Sequence, residues 1–407
     1  MPINIGSGAA SALYLGSTEV VAAYLGPAEV YTSTVTLTLT GPSDQTASSG
    51  SATFTVSATV SDGSALTYQW QIGASGGVTW TQQYMPASVT WSGVAYGNGT
   101  FVAVTYGNNV AATSTDGATW TQRTLPATAN WQSVTYGNGL FVAVASGGTV
   151  AATSTDGITW TQRTLPTSAS WYGVTYGNGT FVAVAYGSSI AATSSDGINW
   201  TQRTLPTSTD WFKITYGGGL FVAVARNTTI AASSSDGITW TQRTLPSSDD
   251  WRGLTYGNGT FVATALNTTN AASSTDGITW TQRTLPSASG WMGVAYGDGL
   301  FVVVAYYNST IAATSPDGIT WTQRTLPSSA NWQHVAHGNS VFVAVAYNSS
   351  NAATSPSSTQ WTDITGETTA ALALTGLTSS DNGNQYRVVV DSPSVEPVTS
   401  AVATLTV

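Results

Sequence analysis

The chain has 407 residues, enough for two or three domains with buried cores, and its charged fraction of 7%, against about a quarter in ordinary globular proteins, excludes charge-laced helices. A net charge of -9 with a single lysine, Lys213, removes the basic footprint that nucleic acid or an anionic membrane surface requires. There is no cysteine, hence no disulfide, thiol nucleophile or thiolate metal site. The opening Met1-Pro2-Ile3-Asn4-Ile5-Gly6 has no basic region, and no apolar run reaches the ~18 residues that cross a bilayer, so the expectation is synthesis in a cytoplasm without a standard export signal or membrane insertion.

Residues 1–34 contain an echo, Tyr14-Leu-Gly-Ser-Thr-Glu-Val20 and Tyr24-Leu-Gly-Pro-Ala-Glu-Val30, which predicts a small β-hairpin. Alternating strand patterns follow at 35–40, 52–60 and 66–71, and again near the far end at 370–377, 385–390 and 402–407. Each set has too few strands to bury a sandwich. Together they supply the roughly seven strands in about 100 residues of one, so segments 35–76 and 358–407 are expected to form a single domain interrupted by 77–357.

The interrupting segment is a repeat. Trp91, Trp131, Trp171, Trp211, Trp251, Trp291 and Trp332 recur at 40 residues, with one 41-residue step where Tyr306-Tyr307-Asn308 adds a residue. Each unit predicts four short strands, at 171–175, 180–185, 190–194 and 199–202 in the third copy. Tyr-Gly-Asn-Gly and Asp-Gly turns supply positive-φ residues for tight hairpins between them. A period near 40 with four strands and no helix signal is the pattern of a β-propeller, here with seven blades. A second series, Trp80, Trp120, Trp160, Trp200, Trp240, Trp280 and Trp321, lies on strand four. The flanks of Trp80 (Thr79-Trp-Thr-Gln-Gln-Tyr-Met-Pro86) match the repeat and those of Trp361 do not, so the strand near Trp80 is expected to complete the blade begun at Trp332 and close the ring. The repeated tryptophans are read as core pegs.

Three resemblances carry further expectations. Tyr68-Gln69-Trp70-Gln71, Trp361-Thr362-Asp363-Ile364-Thr365-Gly366, Leu374-Thr-Gly-Leu and Asp381-Asn-Gly-Asn-Gln-Tyr386 resemble the disulfide-free immunoglobulin-like domains of bacteria and phages over about 92 residues. That likeness implies Trp70 as the core tryptophan and Tyr386 as a tyrosine corner, with one residue more than the usual spacing. The turn Ser114-Thr-Asp116-Gly117-Ala-Thr-Trp120 resembles the Asp-box hairpins of sialidase-type propellers, one residue short, and implies a structural role for Asp116, Asp156, Asp196, Asp236, Asp276 and Asp317. Residues 1–34 resemble N-terminal segments of phage tail and fibre proteins that dock on the virion, implying an anchor to other virion proteins.

Catalytic patterns are sparse. Asp and Arg recur six times each around the ring (Arg123, Arg163, Arg203, Arg243, Arg283, Arg324), whereas a catalytic site needs unlike residues converging. Non-repeat arginines in the propeller are Arg226 and Arg252, too few for an arginine triad. Glutamate is absent from 30–366, and the carboxylates of the propeller outside the repeated turns are Asp210, Asp249, Asp250 and Asp298, with Asp249 and Asp250 read as a solvated loop. His334 and His337 are the two histidines, with no third metal-ligand type clustered near them and no nucleophile-elbow sequence. No enzyme activity, cofactor or metal is expected.

Comparing the seven copies separates fixed from varied positions. The turns stay nearly constant. Divergence falls in the strand-four to strand-one linkers (127–130, 167–170, 207–210, 247–250), the two residues after each opening tryptophan, and the strand two-to-three loops. In an up-and-down blade these emerge on one face, while the chain enters and leaves on the other, so the varied face is expected to point away from the stem. It would carry Gln132, Tyr172, Phe212, Lys213, Arg226, Asn227, Arg252, Asn267, Met292, Tyr306, Tyr307, Asn308, Gln333, His334 and Asn348 as candidate ligand-binding residues. The expectation is an exposed, non-enzymatic phage virion protein whose propeller binds a host-surface polysaccharide or protein, with no nucleic acid partner. The alternatives are a purely structural virion decoration, a glycan-cleaving propeller enzyme and a secreted bacterial adhesin.

Overall fold

The computed structural model describes all residues except 1–12, 16, 17, 26–28, 49, 75–78, 358, 359, 378–384, 394 and 407. The opening hexapeptide and Asp381 of the predicted tyrosine-corner motif lie outside the described residues. Every regular element among the described residues is a β-strand, and no helix among them is long and apolar enough to cross a membrane. The chain divides into two compact units, one made of residues 1–75 with 359–407 and the other of residues 76–358.

In the first unit the N-terminal echo forms three antiparallel strands, Leu13–Leu15, Thr18–Leu25 and Glu29–Val35, where a two-stranded hairpin was expected. Thr67–Ala74 pairs with Gln360–Asp363 on one side and Gln385–Ser392 on the other, so segments almost 300 residues apart share one ladder. Ala371–Thr375 pairs with Ser51–Thr55. Their shared core contains Phe54, Trp70, Leu372, Tyr386, Val388 and Leu405. Trp70 is fully buried, and its indole N–H donates to the Thr369 carbonyl at 2.8 Å.

The second unit has a propeller-like fold built from the repeat. Strand two, for example Thr180–Tyr186, is buried on both faces, which explains its unbroken apolar run. Its even and odd residues face different neighbours: Val102, Val104 and Ala111 pack on Trp131, Phe141 and Ala143 of the next copy. Val343, Val345 and Ala352 of the last copy pack on Trp91, Phe101 and Ala103 of the first. The strand Thr81–Val89 pairs with Ser349–Pro356, joining the first strand of the unit to the last repeat.

Two features hold consecutive copies together. Each opening tryptophan, from Trp91 to Trp332, is fully buried, and its indole N–H donates to a carbonyl four residues earlier, as from Trp211 to Thr207 at 3.0 Å. Burying one such ring is worth up to about 4–6 kcal/mol. The second feature is a close approach at the end of strand one. A Cβ on Gly177 would lie 2.0 Å from the Tyr216 ring, and the same contact recurs from Gly97 on Tyr136 through Gly297 on His337 to Gly338 on Tyr96, returning to its start.

The Asn-Gly turns match expectation: Asn178 and Gly179 have φ of 46° and 74°, the signs a two-residue type I′ hairpin requires. The Asp-Gly segments do not form such tight hairpins. They are wider loops in which Asp196 Oδ1 accepts the backbone N–H of Ile198 and Asn199 at 2.8 Å and the Ser194 hydroxyl at 2.8 Å. These donors hold the turn carboxylates below their ordinary range, Asp276 at about 2. The repeat arginines lie on the outer strand, Arg123 Nε donating to Thr113 Oγ1 at 3.0 Å, and Gln83 takes that place in the first strand, bonding to Thr354 Oγ1.

The linkers expected as loops are strand. Strand four runs Thr201–Thr209, and elsewhere Thr121–Gly137 and Thr161–Gly177 continue unbroken into the next copy. The repeat prolines, such as Pro206, sit on this outer edge strand, where the missing N–H costs no ladder bond.

The Gly177 contact generates a test. Gly177→Ala should destabilise the chain by about 1–3 kcal/mol through overpacking on Tyr216, measured by urea unfolding, whereas Gly148→Ala, with open space and no left-handed backbone, should change stability by less than about 1 kcal/mol.

Candidate functional site

Strand one begins with a register shift in all seven copies, between the opening tryptophan and the residue two positions on, as at Trp211/Lys213. The bulge re-aims the residue directly after the tryptophan. Those residues are Ser92, Gln132, Tyr172, Phe212, Arg252, Met292 and Gln333, and together with Lys213 they line one small pocket of about 10 Å³, room for about one water. Seven structurally equivalent positions thus bring nearly seven different side chains to one place.

The next position is small in five copies (Gly93, Ser133, Gly173, Gly253, Gly293) and large in two. A Cβ on Gly93 or Gly293 would press on the backbone of the following copy, which explains the small residues. The two large ones meet: Lys213 Nζ lies 2.9 Å from His334 Nε2. With the amine donating to Nε2, the imidazole proton sits on Nδ1, which is buried with no hydrogen-bond partner. Burial lowers the Lys213 amine to about 8, and burial together with the adjacent ammonium pushes His334 well below its ordinary value.

A second varied ring lies at the end of strand two: Tyr106, Ser146, Tyr186, Arg226, Leu266, Tyr306 and Tyr347. It is tied to the residue before each tryptophan by backbone bonds, such as Arg226 N to Asp210 O at 3.0 Å. Here Asp250 bridges two arginines, accepting Arg226 Nε at 2.6 Å and Arg252 Nη2 at 2.8 Å. Asp250 is therefore a partly buried ion-pair centre, not part of the solvated loop expected from sequence. Asp249 is held by Ser247 and by Asn270 Nδ2.

Phe212 lies under the cations. The centroid of its ring is 5.9 Å from Lys213 Nζ, 5.4 Å from Arg226 Cζ and 5.6 Å from Arg252 Cζ. It also stacks beside Tyr172, which contacts Tyr186. Phe212 and Met292 are 8% and 4% exposed, so these two candidates are packing residues of the site floor, not exposed ligand contacts.

Four of the remaining candidates form a second locus; Asn227 and Asn348 lie outside it, at positive-φ turn positions, with Asn348 Oδ1 accepting the Thr90 hydroxyl. Tyr306, Tyr307, Asn308 and Asn267 line a groove of about 490 Å³ with Ser309 and Thr310. The extra residue of the 41-residue step places Tyr307 at φ 64°, a left-handed conformation that is costly for a bulky side chain, and leaves its ring 54% exposed. Tyr306 makes edge contacts with Tyr307 and Tyr347, and Arg252 acts on it electrostatically.

Ser92, Asp250, Tyr186 and Tyr347 belong to these loci and were missed from sequence, although each occupies a varied repeat position that flags it. His337 is elsewhere, in a cluster with Ser357 and Asp298. Its Nε2 lies 2.9 Å from Ser357 Oγ and 3.4 Å from Asp298 Oδ2, and Ser357 Oγ also reaches Asp298 Oδ2 at 2.6 Å. Both partners use one ring nitrogen, so the trio lacks the relay geometry of a serine nucleophile. Among the described residues no group of three or more His, Cys, Asp or Glu side chains could hold a metal ion.

Residues 67–212, a little over a third of the chain, match the DUF6242 beta propeller domain family. Among solved structures, virginiamycin B lyase from Staphylococcus aureus aligns at 13% identity with a TM-score of 0.62, covering 68% of this chain and 99% of that one. A streptogramin B lyase aligns at 11% and 0.62, covering 70% and 97%. The computationally designed Ika8 protein aligns at 10% and 0.50, covering 67% and 99%. The first two are enzymes, but at these identities the likeness carries the propeller fold alone. A search of curated protein sequences found no match.

Linkage fixes the sign of a pH effect. The folded chain holds the Lys213 proton less tightly (about 8) than the unfolded chain (10.5), so the cost of the buried charge is full below pH 8 and is relieved as pH rises to 10.5. The stability difference between Lys213→Met and the wild type should therefore shift in favour of the wild type across that window, read by urea unfolding at pH 7, 8.5 and 10. A difference that does not change with pH would contradict a buried, charged amine.

Proposed function

We propose that the chain is a non-enzymatic recognition protein in which a seven-bladed propeller, inserted into an immunoglobulin-like sandwich, presents its varied end to a surface polysaccharide or protein. One observation carries this reading: the positions that hold the copies together are repeated almost unchanged, while the positions lining the pocket and the adjoining ring differ from copy to copy. Packing alone has no use for that difference, because equivalent sites in a repeat are satisfied by equivalent residues. Aromatic, amide and guanidinium side chains on a rigid scaffold suit recognition. The carboxylate nearest the pocket, Asp250, is taken up by two arginines, which argues against an acid and base pair there.

The setting we propose is the exposed surface of a phage virion, with residues 1–34 as the attachment segment and the disulfide-free sandwich as a stem. The sequence resemblances of the flanks and the low charge support it.

The test is retention of the labelled full-length chain on whole bacteria and on arrayed surface polysaccharides, beside Tyr172→Ala and Tyr307→Gly. Glycine is at ease in the left-handed conformation of residue 307, so stability should stay within about 1 kcal/mol. Saturable retention by the wild type that falls about tenfold or more in either variant is the expected result. Retention unchanged in both variants, or none on any surface by a folded chain, would overturn the reading.

A further inference from the structure

The repeat gives the second unit six arginines at one equivalent outer position, where they bond to threonine or serine hydroxyls of the neighbouring strand. Its other three cations, Lys213, Arg226 and Arg252, all lie against one ring, Phe212. In a chain of net charge -9 this is a local reversal of sign. Asp250 neutralises part of it and Asp210, bonded to Tyr186, another part. Lys213 instead hydrogen-bonds to His334.

The Lys213 ammonium therefore presents donors and no acceptor. Its bond to His334 uses one of three protons, and because Nδ1 of His334 is shut off from the surface, the protons left on the ammonium are the ones a ligand can take. Gln333 adds a side-chain amide to the wall, while the Ser92 hydroxyl is taken up by the Trp131 carbonyl and Gln132 Nε2 by Ser146 Oγ. One oxygen of an oxyanion, filling the space of the single water that the pocket can hold, accepts the spare protons of Lys213. The second groove, around Tyr307, with its exposed ring, amides and hydroxyls, suits a sugar chain: an aromatic face for C–H surfaces and polar groups for hydroxyls.

We propose that the ligand of this site is an acidic glycan, with Lys213 as the charge partner of its carboxylate or sulfate. This rests on the recognition reading above and names its ligand class.

The experiment uses the full-length chain and five immobilised probes: polygalacturonate, its methyl ester, dextran sulfate, dextran and poly-L-glutamate. An overall acidic chain is repelled by polyanions, so binding to one reports the local cluster. The expected result is binding to polygalacturonate or dextran sulfate about tenfold or more tighter than to its uncharged counterpart, and loss of that preference in Lys213→Met. The favoured member of the two acidic glycans identifies carboxylate or sulfate. The comparison of acid with ester needs no variant, so it stands even if Lys213→Met folds poorly. Equal binding of charged and uncharged glycans, a preference that survives Lys213→Met, or equal binding of poly-L-glutamate would overturn the proposal and leave recognition standing. Binding to none of the five overturns it too, and whole-cell retention then decides whether the recognition reading falls with it.

Discussion

The structure of the larger unit depends on how closely successive repeats approach at the end of strand one. The Gly177 to Tyr216 contact leaves no room for even a methyl group, and it recurs until Gly338 meets Tyr96. With the buried tryptophan at the other end of the same strand, it clamps each copy to the next at two points. The valines and alanines of strand two fill the space between. Because every copy meets the same two demands, divergence at the clamped positions would propagate as strain through a tightly packed interior.

That constraint decides where variation is cheap. The bulge after each tryptophan turns one residue out of the clamp, and the end of strand two is free of it as well. These positions hold aromatic and cationic side chains that are not repeated from copy to copy. The Lys213 and His334 pair runs against stability: it buries an amine beside an imidazole, where a glycine or serine stands in five other copies. An arrangement that costs free energy where the repeat offers a neutral solution is the observation behind the proposed ligand site.

Much of this was legible in the sequence. The 40-residue period, the four strands, the Asn-Gly turns and the varied positions follow from the copies themselves, since a chain that repeats seven times displays its own tolerance. Three things were not legible. The linkers read as loops because they diverge between copies, yet edge pairing makes them strand. Phe212 and Met292 read as exposed because they vary, and burial beneath arginines cannot be seen from variation. Contacts between copies far apart in sequence, such as Lys213 with His334, depend on ring geometry that spacing alone does not give.

The central claim is that fixed positions carry stability and varied positions carry recognition. It is tested most directly by a library of the full-length chain randomised at Ser92, Gln132, Tyr172, Arg252, Tyr306 and Gln333, sorted separately for protease resistance and for retention on host cells. The account predicts that most resistant variants lose retention, so the two properties separate. Retention that simply follows resistance across the library would contradict it.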